Sequence, residues 1–114
     1  MERIIIQTKA FQDFYKSLNA RTKKKVDYIV EILQNGETVS AKFVKKLVNT
    51  EFYEMRISTD NEYRTIIFTM DDENFVNANI ILLLNGFMKK STSDYSNKIA
   101  VAKKIIIEEQ YGKD

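Results

Sequence analysis

Three consecutive segments in the second half of the chain decide most of what this sequence can fold into. Residues 52–58 alternate apolar and polar side chains, residues 63–70 are rich in β-branched and aromatic residues, and residues 75–84 end in five consecutive aliphatic residues. These runs predict three strands, the last of them covered on both faces. Only short polar stretches, 59–62 and 71–74, separate them. Consecutive hairpins are the simplest connection, so we predict a three-stranded antiparallel meander.

The first half of the chain predicts one strand and two helices. Residues 3–7 form a short run rich in β-branched side chains, which predicts a strand, and Thr8 is suited to cap the helix that follows. A second helix is expected from about residue 20, with Gly36 as a left-handed C-terminal cap. Residues 37–51 fit either a short helix or an extended segment leading into a strand. Helical spacing favours packing in the core for the aromatic residues Phe11, Phe14, Tyr15 and Tyr28.

The rest of the chain completes one domain. The dipeptide Asn85-Gly86 is expected to break the third strand, and a final helix, capped by Ser93 or Ser96, is expected to run to about Tyr111. The chain contains no Pro, no repeat and no linker, and its 114 residues suit a single core. We predict one α+β domain over residues 1–114, in which a small antiparallel sheet, made of the opening strand and the meander, packs with an N-terminal helical hairpin and the C-terminal helix.

The composition excludes several kinds of chemistry. The chain has no Cys and no His, which removes thiol nucleophiles, disulfides, Ser-His-Asp triads and the common zinc sites. The acidic run 71–73 is better explained as a hairpin turn than as a metal site. We therefore expect neither a metal nor a cofactor. The sequence shows no signal-peptide core and no apolar stretch of membrane-spanning length, so we expect a cytoplasmic protein without a membrane partner.

Positive charge is distributed unevenly along the chain. Residues 1–50 hold ten basic and five acidic residues, whereas residues 51–94 hold four basic and eight acidic ones. Within the second region, Arg56, Arg64 and the pair Lys89-Lys90 each lie beside a predicted strand. If those strands are neighbours, the cations converge on one region of the sheet. Convergent Arg and Lys suit a phosphodiester, because they pair with phosphate oxygens and stabilise the charge of the transition state.

The order of these segments resembles the RelE/HigB superfamily of bacterial toxins. The similarity rests on the strand, the helical hairpin, and three motifs in sequence: Tyr53-Glu54-Met55-Arg56, Glu62-Tyr63-Arg64, and Asn85-Gly86-Phe87-Met88-Lys89-Lys90. It is closest to the HigB-like, phage-associated branch. The resemblance implies a RelE-like fold and the toxin of a type II toxin-antitoxin system. Such a toxin is a ribosome-dependent, metal-independent mRNA endoribonuclease, in which the ribose 2′-OH attacks the adjacent phosphate. The implied partners are mRNA, the ribosome and a cognate antitoxin of the helix-turn-helix type.

The resemblance also assigns residues. Arg64 resembles the arginine that binds the scissile phosphate, Lys89 or Lys90 the basic residue after the last strand, and Tyr95 a tyrosine that stacks on a base or assists proton transfer. A supporting phosphate contact is expected from Arg56. The lysines that precede the second strand of the family are expected to act either as the base or as phosphate ligands; here they are Lys42, Lys45 and Lys46. Contacts with ribosomal RNA are expected from Lys23, Lys24 and Lys25. Asn85 departs from the pattern, since many relatives have His there.

Three other interpretations of these residues are also consistent with the sequence. Arg56 and Arg64 would also be explained by cross-strand pairing with Glu54 or Glu62, which is common in antiparallel sheets. The same scaffold in ParE-like relatives is not a nuclease and acts by binding DNA gyrase, so the fold alone does not determine the chemistry. The third reading is an inactive phage-derived binding module.

Overall fold

The structure, a computed structural model, describes residues 2–36, 38–90 and 95–111, of which 110 and 111 are described by their backbone alone. Its elements are β1 (Ile4–Gln7), α1 (Lys9–Ser17), α2 (Ala20–Asn35), β2 (Val44–Lys46), β3 (Phe52–Ser58), β4 (Glu62–Thr69), β5 (Ile80–Met88) and α3 (Tyr95–Ile106), which continues as a π-helical turn (Ile107–Tyr111). The predicted α+β class is confirmed.

The sheet has five strands in the order β1-β5-β4-β3-β2. The strands β3, β4 and β5 form the predicted antiparallel meander. The strand β1 pairs with β5 in parallel, so the sheet is mixed rather than wholly antiparallel. The short strand β2 pairs with β3. Residues 44–46 of the ambiguous segment 37–51 are therefore extended.

The two faces of the sheet carry separate cores because side chains alternate along each strand. The helices α1 and α2 cover the first face, where Phe11, Ile29 and Leu33 pack on Met55 and Ile67. The helix α3 covers the second face; the buried residues there are Phe52, Ile66, Leu82, Leu84, Phe87, Ala102 and Ile106. The strand β5 contributes to both cores, as its continuous aliphatic run predicts.

The caps of the first two helices are partly as predicted. The Thr8 hydroxyl accepts a hydrogen bond from the Phe11 backbone N–H at 3.2 Å, which confirms Thr8 as the N-cap of α1. Gly36 does end α2, but its φ of −88° and ψ of 128° are extended, so the predicted left-handed cap is wrong. Its N–H still bonds to the Ile32 carbonyl at 2.8 Å, and an extended backbone leads directly away from the helix.

The start of β5 is later than predicted. Residues 75–79, expected in the strand, form turns, and pairing begins at Ile80. The Asp71 carboxylate accepts hydrogen bonds from the backbone N–H groups of Asn79 and Ile80 at 2.9–3.0 Å. This side chain therefore closes a loop longer than the four-residue turn that the sequence suggested.

The strand β5 also continues through Asn85 and Gly86 rather than breaking there. The register moves from Ile67↔Leu83 to Thr65↔Gly86, so Leu84 and Asn85 together oppose one residue of β4 in a β-bulge. A Cβ atom at Gly86 would overlap the ring of Phe14 from α1. Glycine is needed here because a helix packs directly on the strand backbone, which replaces the prediction that it ends the strand.

The C-terminal helix begins at Tyr95 and holds Ser96 inside its first turn. The other proposed cap, Ser93, lies outside the described residues. The predicted extent to about residue 111 is matched only if the wider π-helical turn is counted with α3. No helix in the described part of the chain is both long and apolar enough to cross a membrane.

Candidate nucleic-acid site

A buried carboxylate, Glu54, organises the polar part of the second face. Glu54 lies on β3 two residues after Phe52, so alternation directs both side chains to the face that α3 covers. Its Oε1 accepts a hydrogen bond from the Tyr95 hydroxyl at 2.5 Å and lies 3.4 Å from Arg64 Nε. Its Oε2 lies 3.6 Å from Arg56 Nε. Glu54 thus joins β3, β4 and the first residue of α3.

The Arg64 side chain is almost completely buried, and neighbouring residues bind its guanidinium group. The side chain is only 3% exposed, and Nη1 donates to Glu62 Oε1 at 3.2 Å and to the Tyr63 carbonyl at 2.9 Å. Its Nε has no hydrogen-bond partner among the described residues, although Glu54 is close enough for an ion pair. Register pairs Arg64 with Arg56 across β3 and β4, so two cations lie side by side between two carboxylates.

Two groups of this cluster have displaced pKa values. Burial first, and then the hydrogen bond to the Glu54 carboxylate, raise the pKa of Tyr95 to about 12, so its phenol stays protonated at neutral pH. Glu62 has the opposite shift, because the Ser58 hydroxyl, which donates to it at 2.7 Å, and the Arg64 guanidinium lower its pKa. The site therefore combines a neutral donor, two carboxylates and two arginines.

Lysines lie at the edges of this cluster. Lys45 pairs with Glu54 in the β2–β3 register, which directs its exposed side chain to the same face. On the other side, the backbone N–H of Lys89 donates to the Glu62 carbonyl at 2.8 Å. Lys89 is half-buried and Lys90, one residue further along, is exposed. We call Glu54, Arg56, Glu62, Arg64 and Tyr95 the Glu54 cluster, and Lys45 and Lys89 its rim.

The comparisons with known proteins agree with this architecture. Residues 13–106 match the model of a family described as "Phage derived protein Gp49-like". The chain belongs to this family. The Gp49-like proteins are toxins of the RelE/HigB type, so the resemblance found in the sequence is confirmed. No curated protein sequence matches this Gp49-like chain.

Solved structures of the E. coli toxin RelE are similar to the Gp49-like chain in fold. A double arginine-to-alanine mutant of RelE in the free state gives a TM-score of 0.63 at 11% identity, covering 93% of this chain and 99% of RelE. The intact E. coli RelBE toxin-antitoxin complex gives 0.57 at 12% identity, with 78% and 99% covered. The isolated RelE toxin gives 0.55 at 12% identity, with 86% and 96% covered. The predicted RelE-like fold is thereby confirmed.

The structure brings together some of the residues that the sequence proposed for the site and separates others. Arg56, Arg64 and Tyr95 meet at Glu54. Lys46, by contrast, pairs with Tyr53 and faces the opposite side of the sheet, where its Nζ lies 5.7 Å from the Tyr53 ring and donates to the Thr50 carbonyl.

The other lysines of that prediction also lie away from Glu54. Lys42 is over the ring of Phe43, whose side chain packs with the core beneath the helices. The three lysines predicted to contact ribosomal RNA, Lys23, Lys24 and Lys25, are on α2, which covers the first face. None of these four lysines therefore belongs with the Glu54 cluster.

The sequence analysis did not recognise the central role of Glu54 and Glu62 in the site. It treated both only as pairing partners for arginine, although each lies two residues from an arginine on the same strand and so shares its face. Asn85 is a further buried polar group near α3: its amide nitrogen donates to the Lys98 carbonyl at 3.1 Å, while Oδ1 has no partner among the described residues. No group of three potential metal ligands occurs in the part of the chain that the structure describes.

Proposed function

We propose that this Gp49-like protein is the toxin of a type II toxin-antitoxin system and cleaves mRNA on the ribosome. The observation that carries the proposal is the Glu54 cluster, where Arg56, Arg64 and Tyr95 converge on one carboxylate. Cleavage by the ribose 2′-OH needs a base, an acid and cations for the phosphate. The Glu54 cluster can supply all three: the Glu54 carboxylate as base, the Tyr95 phenol as acid, and two arginines as cations.

Arg64 is the group we assign to the scissile phosphate, with Arg56 beside it. Guanidinium pairs with two phosphate oxygens at once and stabilises the additional negative charge of the transition state. Both arginines are paired with carboxylates in the free protein. A phosphate must therefore replace at least one of those contacts, and Glu62, which is half-exposed, is the partner that can turn away into solvent.

Glu54 and Tyr95 form the proton-transfer pair of the proposal. Glu54 accepts the proton of the attacking 2′-OH, and the Tyr95 phenol donates its proton to the leaving 5′-oxygen. The products are a 2′,3′-cyclic phosphate and a 5′-hydroxyl, with one proton gained by Glu54 and one lost by Tyr95. The hydrogen bond between the two side chains, 2.5 Å long, then returns the proton from Glu54 to Tyr95.

The rim lysines supply long-range attraction for RNA. Lys45 and Lys89 add positive charge at the two sides of the Glu54 cluster, and exposed Lys90 extends it. Lys23, Lys24 and Lys25 on α2 are assigned to ribosomal RNA. The remaining partner is an antitoxin of the helix-turn-helix type, encoded beside the toxin, and the site of action is the cytoplasm. The E. coli toxin RelE, whose fold is similar, forms a toxin-antitoxin complex.

The experiment that tests the proposal combines growth with product analysis. The chain is expressed alone in bacteria, and the purified protein is added to ribosomes programmed with mRNA. We expect growth arrest, and mRNA fragments that carry 2′,3′-cyclic phosphate and 5′-hydroxyl ends only when ribosomes are present. Arrest without mRNA cleavage would reject the nuclease and favour the ParE-like, gyrase-binding interpretation.

A further inference from the structure

A second group of basic and aromatic side chains lies on the side of the sheet that α1 and α2 cover. Lys25 and Tyr28 come from α2, whereas Lys42 and Phe43 come from the turn before β2. Lys25 Nζ lies 5.7 Å from the ring centroids of both Tyr28 and Phe43, and Lys42 Nζ lies 5.6 Å from that of Phe43. We call these four residues the Phe43 cluster.

The aromatic rings of this cluster are divided between core and solvent. Phe43 packs against the core below α2, and its ring forms a T-shaped pair with the ring of Tyr28, with centroids 6.0 Å apart and an interplanar angle of 79°. Tyr28 remains 54% exposed, although its helical spacing predicted a core position. One tyrosine ring is therefore fixed by an edge contact while much of its surface is open to solvent beside two ammonium groups.

The charge around the Phe43 cluster is mixed but positive near the rings. Arg21, Lys23 and Lys24 precede it on α2. Of the two acids on the following turns, Asp27 accepts a hydrogen bond from the Tyr15 hydroxyl at 2.9 Å and is thus engaged on another side of the helix. Glu31, one turn after Tyr28, is the acid that most directly opposes the cations. Two lysines against one glutamate leave an excess of positive charge.

We infer that the Phe43 cluster is a second RNA-binding surface, in which Tyr28 stacks on an unpaired base and Lys25 and Lys42 contact the flanking phosphates. Every base offers a face to an aromatic ring, and ammonium groups contact phosphates without sequence preference. An acidic peptide would engage the lysines but leave the tyrosine face unused. The inference takes RNA as the partner from the proposed function, but it concerns a different face of the sheet from Glu54.

The test measures binding of a single-stranded, fully 2′-O-methylated oligoribonucleotide to the whole protein by fluorescence anisotropy at several salt concentrations. This probe lacks the attacking hydroxyl and so stays intact. We expect Tyr28→Ala to weaken binding about tenfold and leave the salt dependence unchanged, whereas Tyr28→Phe binds as the wild type does. Lys25→Ala and Lys42→Ala should each reduce the slope of log K against log salt by about 0.7.

Lys103→Ala is the matched control, because it removes one exposed lysine from α3 on the opposite face. For Lys103→Ala, the slope of log K against log salt should equal that of the wild type. The inference is overturned if the wild type does not bind the probe, if Tyr28→Ala binds as tightly as the wild type, or if Lys103→Ala lowers the slope as much as Lys25→Ala. Cleavage assays report on the Glu54 cluster separately. If the wild type binds the probe in a Tyr28-dependent way but does not cleave mRNA, the proposed nuclease activity is rejected and the RNA-binding surface is not.

Discussion

At the scale of single residues, the polar groups of the second face form one connected set around Glu54. The carboxylate contacts Tyr95, Arg64 and Arg56, and Arg64 continues to Glu62. A buried carboxylate is costly unless its charge is compensated; here two guanidinium groups compensate the charge of Glu54, and the Tyr95 hydroxyl donates a hydrogen bond to its Oε1. The same contacts keep both arginines paired with carboxylates in the free protein.

Tyr95 gives this cluster a dependence on pH. Its pKa rises from an ordinary value near 10 to about 12 on folding, so the folded protein holds the phenolic proton more tightly than the unfolded chain. The corresponding stability is complete below about pH 10 and is lost as the pH rises towards about 12. We expect the stability advantage of the wild type over Tyr95→Phe in urea unfolding to shrink from pH 9 to pH 11. An advantage that stays constant or grows would contradict the assigned pKa.

Glu62 is expected to restrain Arg64. Glu62→Gln keeps the size of the side chain but removes its charge, so a phosphate competes for Arg64 with Glu54 alone. Because Glu62 is half-exposed, we expect RNA affinity to rise only about two- to fivefold. Binding of the 2′-O-methylated probe measures this. Glu51→Gln removes an equal charge from an exposed residue outside the cluster and should change the affinity less. Equal gains for both variants would assign the effect to net charge.

At the scale of secondary-structure elements, β2 and β5 decide which side chains reach the site. The strand β2 has only three residues, yet its register with β3 directs Lys45 towards Glu54 and Lys46 away from it. In β5, the bulge at Leu84 and Asn85 shifts the alternation so that Phe87 faces Tyr95, with ring centroids 5.5 Å apart. Both features depend on the pairing between strands, which local sequence does not determine.

The close approach of α1 to β5 should make Gly86 intolerant of a side chain. Gly86→Ala would place its methyl group inside the ring of Phe14, and we expect a loss of about 1–3 kcal/mol in the free energy of unfolding. Phe14→Leu removes part of the obstruction. The double variant should therefore be less destabilised than the sum of the single ones, as measured by urea denaturation. Additive losses would indicate that the two residues do not meet.

The sequence predicted the elements with clear periodicity and missed features set by tertiary contacts. The meander, the helical hairpin and the Thr8 cap follow from local patterns. The conformation of Gly36 and the late start of β5 do not follow from local patterns. The first depends on the contact of Gly36 with α2, and the second on the hydrogen bonds that Asp71 accepts from the backbone. In the site, the expected adjacency of the strands predicted that the arginines would converge. The faces that Lys45 and Lys46 occupy could be assigned only from the register of β2 with β3.

At the scale of the whole molecule, the sheet separates two surfaces of different character. The face under α3 carries a carboxylate with arginines and a tyrosine, while the side of α1 and α2 carries lysines around aromatic rings. Tyr28 and Lys42, for which the sequence suggested a core role and a role at the active site, both lie in the second group. In our two proposals, RNA is contacted by both of these surfaces.

Arg3 connects distant parts of this architecture. It is 1% exposed and donates to the carbonyls of Ala78 at 3.0 Å and Leu33 at 2.8 Å, and to that of Gly36, while its guanidinium lies 4.4 Å from the Phe75 ring. We expect Arg3→Met to lower the free energy of unfolding by about 3 kcal/mol, because buried carbonyls lose their donors. Urea denaturation measures this. The exposed Arg21→Met should change it by less than about 0.5 kcal/mol, and a similarly small effect of Arg3→Met would contradict the role assigned to it.

We propose that RNA cleavage occurs on the face of the sheet that carries Glu54. Lys45 and Lys46 are adjacent, exposed and equal in charge, but β2 directs them to opposite faces of the sheet. The most direct test compares ribosome-dependent mRNA cleavage by Lys45→Ala and Lys46→Ala, with circular dichroism confirming that both variants fold. Loss of a positive charge from the rim of the Glu54 cluster should reduce cleavage by Lys45→Ala at least about tenfold, while Lys46→Ala cleaves nearly as the wild type does. Equal losses, or a larger loss for Lys46→Ala, would contradict this placement of the site.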